Sequence, residues 1–226
     1  MLIGEHALLK LNNSHVAVFG LGGVGSWCAE ALARSGVGEI TLVDSDEYST
    51  SNINRQLGAL ESTIGRSKVN VMSQRLSDIN PDITIHEIQG TYCAQNREDF
   101  LGAYTYVADC IDLVSCKLDL ISSCIDRKIP IISALGTGNK NDATQIEITD
   151  IAKTKNCALA RVMRKELRNL GIEHLQVVYS PEQPMEASQI ETPPPGRRSV
   201  PGSLVWVPAV TGLIMTQKII TDITKE

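Results

Sequence analysis

The sequence lacks several features that would assign it to common classes of protein. None of its six cysteines is spaced as Cys-x-x-Cys, so a structural zinc site built from two such pairs is not expected. There is no signal peptide or basic leader, and no apolar run reaches the roughly 20 residues that span a bilayer. With 21 basic and 26 acidic residues, the net charge of −5 excludes the global basic field of a dedicated nucleic-acid-binding protein. We therefore expect a cytoplasmic protein without disulfides or membrane association.

Strand and helix patterns alternate along the chain. With 226 residues and 42% hydrophobic content, the chain is long enough to bury a core as one domain over 1–226. The alternation predicts an α/β, Rossmann-like fold with a mainly parallel sheet flanked by helices. A proline-rich stretch at 181–203 predicts a mobile loop. Strands are expected at 15–19, 39–43, 84–89, 106–110, 129–135, 145–149 and 177–179. Helices are expected from 28, from 68, near 157–170 and at the C-terminus, where 205–215 is the lead-in to the last helix.

A glycine-rich turn follows the first predicted strand directly. It contains Gly20, Gly22 and Gly25, with Gly23 between them, and a helix continues from it. Glycine permits positive φ and close backbone approach, so such a turn presents N–H groups and a helix N-terminus to an anion. The second strand ends on Asp44 and Asp46, about 20 residues past the glycines, where βαβ units hold a ribose hydroxyl. These features alone leave NAD, FAD and ATP open.

Two cationic motifs favour ATP among these nucleotides. Ser51-Asn52-Ile53-Asn54-Arg55-Gln56 follows the second strand, and Gly65-Arg66-Ser67-Lys68 comes ten residues later. Triphosphate chemistry needs fixed cations because charge builds on the phosphate oxygens in the transition state. Arg55 offers a planar fork and Lys68 a compact point charge. A nicotinamide-dependent dehydrogenase, the alternative, leaves both residues unexplained.

In this order and spacing, the motifs resemble the ubiquitin-activating-like superfamily of adenylyltransferases. The resemblance implies ATP and Mg²⁺ as cofactors, a glycine turn that lines the nucleotide, and Asp46, or alternatively Asp44, as the ribose ligand. It also implies that Asp112, after a strand at 107–110, places Mg²⁺ beside the phosphates. The simpler alternative for Asp112 is the N-cap of a helix that starts near Leu113. The implied phosphate-side residues are Asn52, Arg55, Gln56 and Lys68, of which Arg55 and Lys68, with Asp112, are the catalytic candidates.

Further stretches resemble one branch of this superfamily, the tRNA threonylcarbamoyladenosine dehydratases. They lie at 2–8, 24–27, 150–154, 159–168 and 202–215. The implied reaction adenylates the carboxylate of a threonylcarbamoyl group on tRNA, and a nitrogen of the same side chain then closes a ring and expels AMP. The alternative is adenylation of the C-terminal Gly-Gly carboxylate of a ubiquitin-like sulfur-carrier protein. The enzymes that activate such carriers commonly hold zinc with two Cys-x-x-Cys pairs, which this sequence lacks.

The branch also implies a tRNA surface and a homodimer. On the helix near 157–170, a cationic stripe lies beside a predicted core stripe of Leu159, Val162, Met163, Leu167 and Leu170. A solvated helix face is the alternative interpretation of these charges. Cys157 lies where thioester-forming relatives keep a cysteine, but an inert buried thiol is expected. The candidate tRNA-binding residues are Arg161, Arg164, Lys165, Arg168, Arg197 and Arg198.

Overall fold

The computed structural model describes residues 2–186 and 202–225. Seven strands and seven α-helices alternate along the described chain, with short 3-10 helices at Thr50–Asn52, Glu61–Thr63, Ala143–Gln145 and Ile151–Lys153. The strands are β1 His15–Phe19, β2 Glu39–Asp44, β3 Thr84–Gln89, β4 Tyr106–Asp109, β5 Ile131–Ala134, β6 Glu147–Asp150 and β7 Gln176–Tyr179. The helices are α1 Gly4–Asn12, α2 Gly25–Arg34, α3 Lys68–Ile79, α4 Arg97–Phe100, α5 Val114–Asp126, α6 Ala158–Asn169 and α7 Trp206–Thr224.

The strands form one sheet in the order β3-β2-β1-β4-β5-β7-β6. All neighbours pair in parallel except β6, which runs antiparallel to β7 at the edge. The predicted Rossmann-like fold with a mainly parallel sheet is confirmed. The chain winds outward from β1 in one direction and returns to β4 on its other side. The carboxyl ends of β1 and β4 therefore form the topological switch point, where open α/β sheets bind their ligands.

Both faces of the sheet are covered, which explains the continuous apolar runs of its central strands. Along β1, Val16 and Val18 enter a core formed with α2, α3 and α7. Ala17 and Phe19 enter a second core, to which α5 and α6 contribute. All four side chains are fully buried.

Two details differ from the sequence-based expectation. On α6 the buried stripe consists of Ala160, Met163 and Leu167, whereas Val162 and Leu170 are exposed, so the predicted core stripe was too wide. The segment 205–215 is the first half of α7 itself rather than a lead-in to it. Pro208 fits there because it occupies the first turn, where a missing N–H breaks no intrahelical hydrogen bond.

The described helices include none that is both long and apolar enough to cross a membrane. Of the predicted loop at 181–203, residues 187–201 lie outside the described part of the chain.

Candidate nucleotide-binding site

The glycine turn lies at the switch point and is packed too closely to carry side chains at two positions. Gly20 has φ +90°, and a Cβ atom there would lie 2.8 Å from the carbonyl oxygen of Cys110, which follows β4. A Cβ atom at Gly25 would overlap the carbonyl oxygen of Gly20. The N–H of Gly20 donates to the carbonyl of Val43 at 2.7 Å, which ties the turn to β2. The turn therefore joins the ends of β1, β2 and β4.

The N-terminus of α2 is available to an anion. Its N-cap residue, Val24, makes no side-chain hydrogen bond to the first turn. A helix N-terminus carries partial positive charge and N–H donors, and both favour phosphate. The turn and the helix together fit a nucleotide phosphate.

Asp44 and Asp46, the two acids after β2, have different roles. Asp44 is nearly buried, and its carboxylate accepts hydrogen bonds from the N–H of Leu21 at 2.6 Å and from that of Asp46 at 2.9 Å. Its two oxygens thus fix the glycine turn and the following loop. The side chain of Asp46 is 66% exposed and lies at the same edge of the sheet. Of the two, Asp46 has the carboxylate that can reach a ligand.

Lys68 lies between these two acids. Its ammonium nitrogen is 2.8 Å from Asp46 Oδ2 and 3.7 Å from Asp44 Oδ1, while its side chain is only 6% exposed. The N–H of Lys68 also donates to the carbonyl of Asp46 at 3.0 Å. Sequence reasoning placed Lys68 beside the phosphates, and the structure adds that it is held by the acids assigned to the ribose.

The segment 51–57 packs against the glycine turn. A Cβ atom at Gly23 would lie 3.3 Å from Arg55 Cγ, and one at Gly22 would lie 3.9 Å from Gln56 Nε2. The Trp27 indole N–H donates to the carbonyl of Arg55 at 3.2 Å. Gly22 and Gly23 are thus neighbours in space of Gln56 and Arg55, which lie more than 30 positions later in the chain.

Within this segment, three predicted site residues are oriented in different ways. The guanidinium of Arg55 donates to the Ser51 carbonyl at 2.8 Å and to Asn54 Oδ1 at 2.9 Å. Asn52 Oδ1 accepts from the N–H of Ser49 at 3.1 Å, so this side chain stabilises the loop. Gln56 is 7% exposed, and its Oε1 has no hydrogen-bond partner among the residues that the structure describes. A buried acceptor without a partner, beside the glycine turn, fits a site that a ligand completes.

Asp112 is exposed in the loop between β4 and α5. The helix begins at Val114 with Leu113 as its N-cap, so Asp112 precedes the N-cap position by one residue. A different aspartate controls this loop. Asp109, at the end of β4, accepts from the N–H of Ile111 at 3.2 Å.

Asp109 belongs to a buried ionic cluster that sequence reasoning missed. Its Oδ2 lies 2.7 Å from the ammonium of Lys117 and accepts the hydroxyl of Ser133 at 2.7 Å, and all three side chains are fully buried. The detectable signal was Lys117, a lysine within the apolar stripe of α5 that includes Leu120, Ile121 and Cys124. A charged residue on a buried helix face requires a buried partner.

The candidate tRNA residues on α6 are not equivalent. Arg161, Lys165 and Arg168 are exposed, whereas one nitrogen of Arg164 binds the carbonyls of Ile151 at 3.3 Å and Thr154 at 3.0 Å, as well as the Thr154 hydroxyl. Arg164 therefore helps to hold the 3-10 turn that precedes α6. Arg197 and Arg198 lie outside the described residues.

The cysteines are free thiols, and the structure makes the buried ones poor nucleophiles. Burial raises the pKa of Cys28 and of Cys124 to about 12. Cys157 is 8% exposed and is the N-cap of α6, where its sulfur accepts from the N–H of Ala160 at 3.3 Å. The prediction of an inert Cys157 agrees with this burial.

We expect Lys117→Met to lower the free energy of unfolding by about 3–5 kcal/mol, because it leaves the Asp109 carboxylate buried and unpaired. The double variant Asp109→Asn, Lys117→Met should recover part of that loss. Urea denaturation followed by circular dichroism measures both, and a single variant as stable as the wild-type protein contradicts the assignment.

The chain is similar to known proteins in both sequence and fold. A tRNA threonylcarbamoyladenosine dehydratase of Bacillus subtilis is 42% identical over 100% of this chain and 93% of its own length. The Escherichia coli enzyme of that name is 42% identical over 74% of this chain and 63% of its own length. The crystal structure of the E. coli enzyme in complex with ATP superimposes with a TM-score of 0.87 at 35% identity, covering 98% of this chain and 90% of that one. Residues 1–226 match the ThiF family along their whole length, and the chain belongs to that family.

Proposed function

We propose that the chain is an ATP-dependent dehydratase of threonylcarbamoyladenosine in tRNA. The observation that carries the proposal is the assembly, at one sheet edge, of the glycine turn, the exposed Asp46, and the cations Arg55 and Lys68. One relative that carries the dehydratase name matches this chain over its whole length, and another was crystallised with ATP. A nicotinamide-dependent dehydrogenase gives no role to these cations.

In this proposal, each side of the site binds one part of ATP. The α2 N-terminus and the glycine turn receive phosphates, and Asp46 accepts hydrogen bonds from the ribose hydroxyls. Asp44 supports both because its oxygens are already bonded to the backbone of the turn and of Asp46. The exposed carboxylate of Asp112, at the end of the neighbouring strand, would hold Mg²⁺ through an oxygen ligand. When bound, the ion neutralises charge on the phosphates.

The reaction would proceed in two steps. The threonylcarbamoyl carboxylate attacks the α-phosphorus, forms an acyl-adenylate and releases pyrophosphate. Arg55 and Lys68 lower the cost of the charge that develops on the phosphate oxygens. A nitrogen of the same side chain then attacks the activated carbonyl carbon, closes a ring and expels AMP, which retains one carboxylate oxygen. The balance is the loss of one water from the adenosine, driven by ATP.

The substrate would dock through α6. Arg161, Lys165 and Arg168 are exposed cations on this helix, and such contacts position a nucleic acid without reading its sequence. These three residues give α6 a local positive charge, although the net charge of the whole chain is −5. Relatives in the family that adenylate sulfur-carrier proteins support a sulfur-transfer or carrier protein as a further partner.

We expect Arg55→Ala and Lys68→Ala each to reduce the rate of adenylation by a factor of about 10²–10³, as for other preorganised groups that stabilise transition-state charge. The matched control is Arg66→Ala. Arg66 is an exposed arginine two residues before Lys68, and its side chain donates to Gln74 at 2.7 Å. ATP–pyrophosphate exchange with modified tRNA provides the measurement. Near-normal rates for both variants would exclude these roles.

We expect Cys157→Ser to retain ring closure, because the acyl-adenylate is captured by the substrate's own nitrogen. A serine hydroxyl can still accept the N–H of Ala160, so the helix cap survives. Mass spectrometry of digested tRNA should show the adenosine lighter by one water at the wild-type rate. Loss of that product with intact ATP–pyrophosphate exchange would instead indicate a thioester route through Cys157.

We also propose a two-fold homodimer formed around the start of α7. Large apolar side chains are exposed there, namely Leu204, Val205, Trp206 and Leu213, with 40–47% of each accessible. Several exposed large apolar side chains within ten residues of chain are typical of a protein–protein interface, which in a homodimer is isologous.

Light scattering should therefore give the mass of a dimer, and Leu213→Glu should shift it to that of a monomer. The control is Leu170→Glu, since Leu170 is 56% exposed at the C-cap of α6, away from α7 in the sequence. A fully active wild-type monomer at micromolar concentration contradicts the dimer.

A further inference from the structure

A cluster of two histidines and one glutamate lies near the amino ends of β1, β2 and β3. The glycine turn lies at the opposite, carboxyl ends of the strands. His15 pairs in register with Glu39, and Glu39 pairs with Thr84. His86 lies two residues beyond Thr84, so it points to the same face of the sheet as the other two. The register of three parallel strands thus brings His15, Glu39 and His86 together, although they are distant in sequence.

The ligand atoms of the three side chains converge. Glu39 Oε1 lies 2.7 Å from His86 Nε2 and 3.4 Å from His15 Nδ1. One nitrogen or oxygen from each residue lies within 4.8 Å of the other two. Among the residues that the structure describes, no other trio of histidine, cysteine, aspartate or glutamate side chains comes this close.

The His15 ring is held in the orientation that a metal ligand requires. Its second nitrogen, Nε2, lies 2.8 Å from the hydroxyl of Thr41, a residue that is 2% exposed. The ring also makes an edge contact with Tyr104, at 4.9 Å between centroids. Metal-binding histidines usually donate their other ring N–H to such a group, which fixes the tautomer and leaves the first nitrogen free to bind.

We propose that His15, Glu39 and His86 bind one divalent transition-metal ion of the Zn²⁺ class. Two imidazole nitrogens and one carboxylate oxygen form a known three-ligand set for zinc, with water in the fourth position. That position would face an open groove of about 560 Å³, lined in part by Thr41, Gly102 and Tyr104. Without the ion, Glu39 bridges the two rings; with it, the ion would occupy the centre of the cluster.

This metal site is separate from the proposed nucleotide site. It also differs from the zinc site that carrier-activating enzymes build from two Cys-x-x-Cys pairs. His15 is the first residue of β1, and four residues at about 3.3 Å each separate it from the end of the strand at the glycine turn. No cysteine is involved. Its function would be to link the starts of three strands, including β3 at the sheet edge.

The test uses the full chain after treatment with EDTA and dialysis. Titration calorimetry with ZnCl₂ should show one equivalent of Zn²⁺ bound, and thermal unfolding should show a higher Tm with Zn²⁺ than without it. Bound Co²⁺ should give the visible absorption of a four- or five-coordinate site. Thr41→Val removes only the hydroxyl beside His15 and should weaken Zn²⁺ binding about 10–100-fold. His86→Ala and Glu39→Gln remove ligands and should weaken Zn²⁺ binding at least as much. The matched control is His174→Ala, which removes an exposed histidine 3.0 Å from Asp150 and should leave binding unchanged.

Zn²⁺ bound with equal affinity by the wild-type protein and His86→Ala would overturn the proposal, as would the absence of stoichiometric binding. Circular dichroism of each variant excludes misfolding as the cause of a loss. ATP–pyrophosphate exchange is measured with and without Zn²⁺ and reports the proposed function on its own. Because the two sites lie at opposite ends of the strands, a failure of Zn²⁺ binding is distinguishable from a failure of the proposed function.

Discussion

The close contact between β1, β2 and β4 at their carboxyl ends determines the arrangement of the whole site. Gly20 lies against the carbonyl of Cys110, and Gly25 lies against the carbonyl of Gly20, so neither position has room for a side chain. This contact directs the N-terminus of α2 into the crevice at the switch point. It also places the end of β2, with Asp44 and Asp46, beside the turn. A side chain at either glycine would separate these elements and disrupt the proposed phosphate site together with its supports.

Charged groups around this contact divide into supporting and exposed ones. Asp44 is bonded to backbone N–H groups, and Asp109 is paired with the buried Lys117, so these two acids hold the loops that follow β2 and β4. The acids that follow them in sequence, Asp46 and Asp112, are exposed at the same edge. Both β2 and β4 thus have two acids at their carboxyl ends. The first is buried or nearly buried and positions a loop, and the second is exposed and can meet a ligand. Preorganisation of this kind lowers the cost of binding a charged nucleotide.

The sequence predicted the fold because it depends on local patterns, and the proposed nucleotide site was read from patterns of the same kind. Apolar runs identify β1 and β2, and the glycine spacing identifies the turn between β1 and α2. Contacts between distant segments were harder to predict. The pairing of Lys117 with Asp109 depends on which face of α5 meets β4, and the cluster of His15 with His86 depends on strand register. The α6 stripe was overestimated because periodicity does not reveal where a helix extends beyond the core, as at Val162 and Leu170.

The most direct test follows the carboxylate oxygens of the substrate. The tRNA would carry threonylcarbamoyladenosine whose carboxylate is labelled with heavy oxygen, and the wild-type chain would be supplied with ATP. An acyl-adenylate route predicts one labelled oxygen in the phosphate of each AMP formed, with one pyrophosphate released per adenosine cyclised. Label found in water or inorganic phosphate, with ADP as the nucleotide product, would contradict adenylation as the central step.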